Sequence, residues 1–381
     1  MKDRDHLADA TKAKFMQRAL ALAERGSGRV SPNPLVGAVL VRKGRIIAEG
    51  WHRWFGGPHA EIECIRRAHG DLSGATLYVN LEPCTHYGKT PPCVDRILEA
   101  GIRHVVIAMQ DPNPLVPGTG ISRLRGAGVR VSTGLLSQEA AVLNRFFVKH
   151  ITTGYPYVHV KVAVSLDGYI GNRKASGRFT SRESLRLVHS WRGTYDAVLV
   201  GAGTIKVDNP RLTTRLVRGR DPDVVILDGK FSVASEARIF HTGRKRRIFL
   251  CTNERYMKTQ KQKAVLLESR GVNILCFRGK KGMLDLREIL TGLYHHRIGS
   301  VLVEGGSSVF AQFLQTGVVD EMSTFVSPVL LGRGVPPFAA IQYPEKSSRS
   351  YHVVTVREVG GDLLYTIRFP EGETKLVHGH H

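Results

Sequence analysis

The sequence predicts an α/β chain of two domains, and three observations carry that prediction. Apolar runs of strand length alternate with segments of helical spacing along most of the chain. At 381 residues the chain exceeds one typical domain of roughly 150 residues. Near its middle, Thr152-Thr153-Gly154-Tyr155-Pro156 concentrates turn formers between a helical pattern and a fresh apolar run. The expected division is therefore 1–151, 155–370 and a tail, 371–381, whose end Val377-His378-Gly379-His380-His381 reads as frayed.

The elements follow in order. Lys12 to Arg25 sets Phe15, Ala19, Leu20, Leu22 and Ala23 at helical spacing and stops at Gly26, where a C-terminal cap belongs. Val36 to Val41 and Arg45 to Glu49 flank Lys43-Gly44 and predict a hairpin. Pro58 suits the first turn of a helix with Ile62, Cys64 and Ile65 on its face, and Ala75 to Leu81 is a buried strand. Pro91-Pro92 opens a helix from Val94 to Ala100, ended by Gly101, with a strand from His104 to Met109 after it. One helix is expected from Glu139 to Ile151. In the second half, strands are expected at Tyr157 to Leu166, Ala197 to Val200, Val224 to Leu227, Ile248 to Cys251, Val272 to Phe277 and Ser300 to Val303. Glu321 to Val326 and Leu363 to Phe369 close it as an antiparallel pair.

Composition excludes several classes. A hydrophobic share of 42% and a charged share of 23% describe an ordinary folded chain, neither disordered nor fibrous. No run approaches the roughly 20 apolar residues of a membrane span, and the start lacks a secretory core, so a cytoplasmic protein with no membrane partner is expected. The cysteines, Cys64, Cys84, Cys93, Cys251 and Cys276, are odd in number and scattered, which argues against a disulfide framework. A formal charge of +22 attracts nucleic acid, anionic surfaces and phosphorylated small molecules alike. Runs such as Lys245-Arg246-Arg247 and Lys280-Lys281 read as solvated faces.

Chemistry concentrates in two places. The first is Pro58-His59-Ala60-Glu61 with Glu82-Pro83-Cys84-Thr85-His86-Tyr87-Gly88-Lys89-Thr90-Pro91-Pro92-Cys93. Singly, His59 would be an ordinary histidine and Cys84 a small hydrophobe; together with Cys93 they offer three ligands and leave a fourth position open, the arrangement of a catalytic zinc. Such a metal lowers the pKa of its water to about 7. Glu61, two residues after His59, is placed to take the water proton and pass it to a leaving amine.

This pattern resembles zinc nucleobase deaminases, although eight residues separate the cysteines where the common signature has two. The longer block is similar to the riboflavin-pathway deaminases, as are Ser31-Pro32-Asn33-Pro34-Leu35-Val36-Gly37 and Met109-Gln110-Asp111-Pro112-Asn113-Pro114. The resemblance implies a cytidine-deaminase-like three-layer domain, zinc on His59, Cys84 and Cys93, Glu61 as catalytic residue, and substrate contacts by Asn33, His52, His86, Lys89, Asp111 and Asn113. An Asn amide can pair with a pyrimidine edge and Lys89 can meet a phosphate, while Asn-Pro is equally a common turn starter.

The second place is the C-terminal half. Val160 to Gly168 (VKVAVSLDG), Val200 to Arg215 and Val303-Glu304-Gly305-Gly306-Ser307-Ser308 resemble the riboflavin-pathway reductases. That resemblance implies a dihydrofolate-reductase-like fold and NADPH bordered by Val164, Thr204, Asp208, Gly306, Ser307 and Ser308. Arg192, Leu212, Arg215 and Glu304 would face the substrate, the arginines suiting its phosphate. Lys161 and Asp208, with Glu304, would be the candidates for proton delivery. From the residues alone the Gly-Gly pair could admit a pyrophosphate or merely make a tight turn, and Gly201-Ala202-Gly203 lacks the third glycine of a Rossmann fingerprint. Ser176-Gly177-Arg178-Phe179-Thr180-Ser181 departs from its relatives, being shorter and without their Trp.

The expected activity is hydrolytic deamination of a phosphorylated ribosylaminopyrimidine, then NADPH-dependent reduction of the ribosyl to a ribityl chain, by an oligomer of identical chains without a nucleic-acid partner. The alternatives are a nucleic-acid base deaminase, suggested by the charge, and a deaminase whose second domain binds a nucleotide without catalysis.

Overall fold

The computed structural model describes residues 2–86, 91–114, 118–171, 179–241, 246–279, 283–338 and 353–369, with side chains from Thr11 onward except that of Val353. The chain divides into two compact units, Met1–Gly154 and Tyr155–His381. Among the described residues no helix is long and apolar enough to cross a membrane.

The first unit runs α1 (Lys2–Glu24), β1 (Gly37–Arg42), β2 (Arg45–Trp51), α2 (Ala60–Arg67), β3 (Thr76–Leu81), α3 (Cys93–Glu99), β4 (His104–Met109), α4 (Thr119–Gly126), β5 (Arg130–Thr133), α5 (Ser137–Leu143) and α6 (Arg145–Thr153). Its sheet has the order β2-β1-β3-β4-β5. The predicted hairpin pairs Gly37 with Trp51 antiparallel, and β3, β4 and β5 are parallel.

Strand periodicity makes this unit three layers thick. Ala38, Leu40, Leu77, Val79, Val105 and Ile107 face α2 and α3 in one core, while Val39, Val41, Tyr78, Val106 and Ala108 face α1 and α5 in another. The packing is close enough to require glycine: a Cβ on Gly50 would lie 2.4 Å from the Ala60 carbonyl and the Cys64 nitrogen. That approach sets α2, and with it His59 and Glu61, against β2.

The single helix expected from Glu139 to Ile151 is two, meeting at Asn144. The 2% exposed Asn144 accepts from Leu35 N at 2.7 Å and donates to Leu35 O at 3.0 Å. A tertiary contact thus outweighs the helical pattern. The short α4 and β5 carry too few alternating positions to have been assigned from sequence.

The second unit comprises β6 (Tyr157–Ser165), α7 (Arg182–Thr194), β7 (Ala197–Gly201), α8 (Ala202–Asp208), β8 (Asp223–Leu227), β9 (Ile248–Asn253), α9 (Glu254–Thr259), α10 (Lys261–Ser269), β10 (Val272–Phe277), α11 (Leu286–His295), β11 (Ser300–Val303), α12 (Ser307–Thr316), β12 (Glu321–Ser327), β13 (Val353–Val359) and β14 (Asp362–Arg368). Nine strands form one sheet in the order β10-β9-β8-β7-β11-β6-β12-β14-β13. It is parallel from β10 to β12, and β12 and β14 form the expected antiparallel pair. The edge strand β13 escaped the sequence reading because its described side chains are mostly exposed, leaving no buried face to set an alternation.

In the basic run at 245–247 Arg247 is exposed as expected, but Arg246 is not. Lys245 lies outside the described residues, but Arg246 is 9% exposed with its guanidinium on backbone carbonyls. Arg247 pairs with Asp223 at 2.6 Å. Lys280 and Lys281 are not among the described residues.

Candidate functional site

In the first unit, α2 begins just after His59, Cys84 follows the end of β3, and Cys93 is the first residue of α3. The fold therefore collects residues from three separate segments at one end of the sheet. The ligand atoms of His59, Cys84 and Cys93 all lie within 4.8 Å of one another. His59 Nδ1 stands 3.2 Å from Cys93 Sγ and 3.5 Å from Cys84 Sγ, and the Cys93 N–H donates to Cys84 Sγ at 3.4 Å. Hydrogen bonding from Cys93 pulls the Cys84 thiol down to about 4, against its burial and with help from His59. One imidazole nitrogen and two sulfurs, one readily ionised, are a donor set that suits zinc.

Beside them Glu61 is 3% exposed, and its Oε2 is buried without a hydrogen-bond partner. Burial pushes this carboxyl up to about 7, with His59 opposing the rise. An unpaired buried carboxylate oxygen is costly to keep unless chemistry uses it.

The expected substrate residues partly converge here. His52, 2% exposed, donates from Nδ1 to the Pro58 carbonyl at 3.0 Å, and its Nε2 meets Asn33 Nδ2 at 3.3 Å. Burial lowers the His52 pKa, which fits a neutral ring holding the Asn33 amide in place. Asn113 N donates to Asp111 Oδ1 at 2.9 Å, and burial raises the Asp111 carboxyl. His86 is exposed at the start of the inter-cysteine loop, and Lys89 lies outside the described residues.

Two positioning groups here had no role in the sequence reading. Glu82 accepts from Ile121 N at 3.0 Å and from Asp111 N at 3.1 Å, tying α4 and the Asp111 loop to the strand end that bears Cys84. Asn80 donates to Leu35 O at 2.9 Å and, with Asn144, clamps the segment carrying Asn33. Glu82 stood inside the quoted motif, whereas nothing local marks Asn80 or Asn144.

In the second unit a cavity of about 1240 Å³ is lined by Lys161, Thr204, Asp208, Leu212, Arg215, Glu304, Gly306, Ser307 and Ser308 among others. It therefore gathers nearly all the expected reductase residues, and it is large enough for a cofactor and a substrate together. Its floor is charged. Arg192 bonds Glu304 twice, Nε to Oε1 at 2.6 Å and Nη2 to Oε2 at 2.7 Å. Burial pushes the Glu304 carboxyl up, but the Arg192 charge and hydrogen bonds outweigh it and the pKa is lowered. Burial lowers Lys161, with Glu304 opposing.

Two expectations change. The Arg192 fork is filled by Glu304, so its two best-aligned donors serve the carboxylate, while Arg211, Arg215 and Arg238 are exposed arginines on the cavity lining. Val164 is 8% exposed and packs in the core, because alternation along β6 sends Lys161 and Ala163 to the cavity and Val162 and Val164 away from it.

The two glycines of the Gly-Gly pair differ in their surroundings. A Cβ on Gly305 would lie 2.6 Å from Val309 Cβ, so it makes the tight turn. Gly306 is open, with nothing nearer its Cβ position than Thr204 Oγ1 at 3.8 Å. Gly306 also precedes α12 without a side-chain cap, and the first-turn N–H groups of a helix are donors that an anion can take. The donor set suits a dinucleotide phosphate. Of the shortened segment, residues 176–178 lie outside those described; Ser181 caps α7 by accepting from Ser184 N at 3.1 Å.

His189 was missed. It is 2% exposed, lines the cavity, and its Nε2 faces Arg192 Nη1 at 3.4 Å. Burial and the charges of Arg192 and Arg215 take it down to about 4, so it meets Arg192 as a neutral acceptor. A single histidine on an amphipathic helix gives no sequence signal of this.

Comparison with known proteins covers both units. Residues 9–109 match the cytidine and deoxycytidylate deaminase zinc-binding region, and residues 156–365 match the RibD C-terminal domain. The riboflavin biosynthesis protein RibD of Bacillus amyloliquefaciens is 41% identical over 326 residues, covering 85% of this chain and 86% of that protein. RibD of Escherichia coli is 37% identical, covering 92% and 97%. Among solved structures, a diaminohydroxyphosphoribosylaminopyrimidine deaminase/5-amino-6-(5-phosphoribosylamino)uracil reductase of Thermotoga maritima superposes with a TM-score of 0.85 at 40% identity, covering 95% of this chain and 99% of that one.

Proposed function

Because the chain belongs to the RibD family, the bifunctional deaminase/reductases of riboflavin biosynthesis, we propose that residues 1–151 carry the deaminase site and residues 155–370 the reductase site described above. The observation that carries the proposal is the buried, unpartnered Oε2 of Glu61 beside the His59, Cys84 and Cys93 cluster.

His59, Cys84 and Cys93 would hold zinc, which would supply a Lewis acid that makes water nucleophilic near neutral pH. Glu61 takes a proton from the water and returns it to the amine, so water is consumed and ammonia released. A carboxyl held near 7 can do both steps. Asn33, fixed by His52, and Asn113, fixed through Asp111, present amides to the pyrimidine; His86 and Lys89 are assigned to its ribosyl phosphate.

In the reductase, Thr204, Asp208 and the Gly306 to Ser308 turn would hold NADPH, which would supply the hydride. Lys161 delivers the accompanying proton. Its pKa is brought down by burial, with the Glu304 charge opposing, while Arg192 pairs with that carboxylate. Leu212 and Arg215 face the substrate, Arg215 on the phosphate. The intact Arg192–Glu304 pair beside Lys161 favours a working second site over a merely nucleotide-binding one.

We also assign to this chain a phosphorylated ribosylaminopyrimidine substrate, a homo-oligomeric state, a cytoplasmic place and no nucleic-acid partner. The +22 charge favours approach of a phosphorylated substrate and a phosphorylated cofactor. The test is a coupled assay on the phosphorylated diaminopyrimidine that follows ammonia release and NADPH oxidation separately. Both signals are expected; ammonia alone would refute the reductase assignment, and salt-sensitive deamination of RNA or DNA would refute the substrate.

A further inference from the structure

The segment from Asn209 to Leu216, between α8 and β8, lies outside any helix or strand and carries Leu212 and Arg215 on the cavity wall. Side chains from elsewhere hold its backbone. Arg192 Nη1 donates to the Thr213 carbonyl at 3.1 Å, and Asp221 Oδ1 accepts from Thr214 N at 2.8 Å. The stretch between Asn209 and Thr213 is held by Arg246. Its Nη1 donates to the Leu212 carbonyl at 2.6 Å and to the Pro222 carbonyl at 3.4 Å, and its Nη2 donates to the Arg211 carbonyl.

Two features of this arrangement call for a cause. Leu212 has φ +52°, in the left-handed region that a leucine rarely adopts and that persists only where surroundings impose it. Arg246 is a 9% exposed cation, and among the described residues no carboxylate forms an ion pair with it. Burying a guanidinium on carbonyls alone is a costly way to fill space. Each feature explains the other: the planar fork spans adjacent carbonyls only if the chain turns as it does at Leu212.

We propose that Arg246 is a positioning residue of the reductase, imposing the left-handed turn at Leu212 and so setting Leu212 and Arg215 at the cavity wall. The inference rests on reading the cavity as the reductase site. It touches the substrate side and leaves the cofactor turn at Gly306 alone.

The experiment uses the full chain with Arg246→Gln and Arg246→Lys, measuring KM for the deaminated substrate, kcat, NADPH affinity by fluorescence quenching, and thermal melting. A lysine concentrates its donors on one atom and cannot span the carbonyls. Arg246→Gln is expected to raise KM about tenfold or more, with NADPH affinity within about twofold and Arg246→Lys intermediate, as loss of a charged hydrogen bond at a positioned loop would give. An unchanged KM in folded Arg246→Gln would overturn the proposal. So would unfolding of both variants, or an equal loss of NADPH affinity, each showing that the arginine serves the fold at large. Absence of NADPH oxidation in the unaltered protein is a separate result: it removes the reductase reading itself, and the inference with it.

Discussion

Glu61 and His189 are both buried titratable groups, and burial serves them in opposite ways. At Glu61 the lost water leaves a carboxyl oxygen free to work, so Glu61→Gln should lower ammonia release by at least about 100-fold with zinc content unchanged. Loss of zinc in that variant, read by metal analysis, would make the residue structural instead. At His189 the same loss of water keeps the ring neutral beside Arg192. His189→Phe keeps the shape but not the acceptor, and should lower reductase kcat/KM about tenfold, while His189→Gln restores much of it. Its pH effect has a definite sign. The folded pKa, about 4, lies below the ordinary value of 6.5, so between them the unfolded chain binds more protons. Stability contributed here is therefore full above pH 6.5 and falls as pH drops toward about 4, where it levels off. Melting temperatures taken across that window should show a shallower decline in His189→Gln than in the unaltered protein.

At the scale of elements, the site is held by contacts between pieces distant in sequence. Asn144 separates α5 from α6 and clamps Leu35, two residues beyond Asn33. Asn144→Ala leaves Leu35 N without its acceptor and should cost about 1–3 kcal/mol of stability together with a raised KM for deamination. A variant with lower stability and an unaltered KM would confine Asn144 to the fold. Glu82→Gln tests the neighbouring latch: an amide offers one oxygen where the carboxylate serves Ile121 and Asp111 with two. Deamination KM should rise while NADPH oxidation on pre-deaminated substrate is unaffected. Such contacts explain what was legible. The hairpin of β1 and β2 and the antiparallel closure of β12 on β14 show in local patterning, as do the strands buried on both faces. The break at Asn144 does not, because its partner lies 109 residues away. Nor does β13, whose exposed side chains carry no period.

For the whole molecule, the two proposed sites call on different chemistry: His59, Cys84 and Cys93 offer a metal-binding set in one unit, while among the described residues the cavity lined by Glu304 and Lys161 has no such cluster. Chelation should therefore abolish ammonia release yet leave NADPH oxidation on pre-deaminated substrate intact, and readdition of zinc should restore the first. Loss of both activities on chelation would show that the units depend on one metal-stabilised fold.

By itself the sequence determined the α/β class, the division near Gly154, the succession of most strands, and the motif whose His59, Cys84 and Cys93 come together. These rest on short-range patterns, the periods of helix and strand and a motif whose members sit close along the chain. Only the tertiary structure decided that Arg192 serves Glu304, that Val164 turns to the core, and that His189 meets Arg192, Glu82 meets Ile121, Asn144 meets Leu35 and Arg246 meets the Leu212 carbonyl. The physical reason is common to them all. A polar side chain's role is set by which donor or acceptor folding brings to it once water has been removed, and that partner has no fixed distance in sequence.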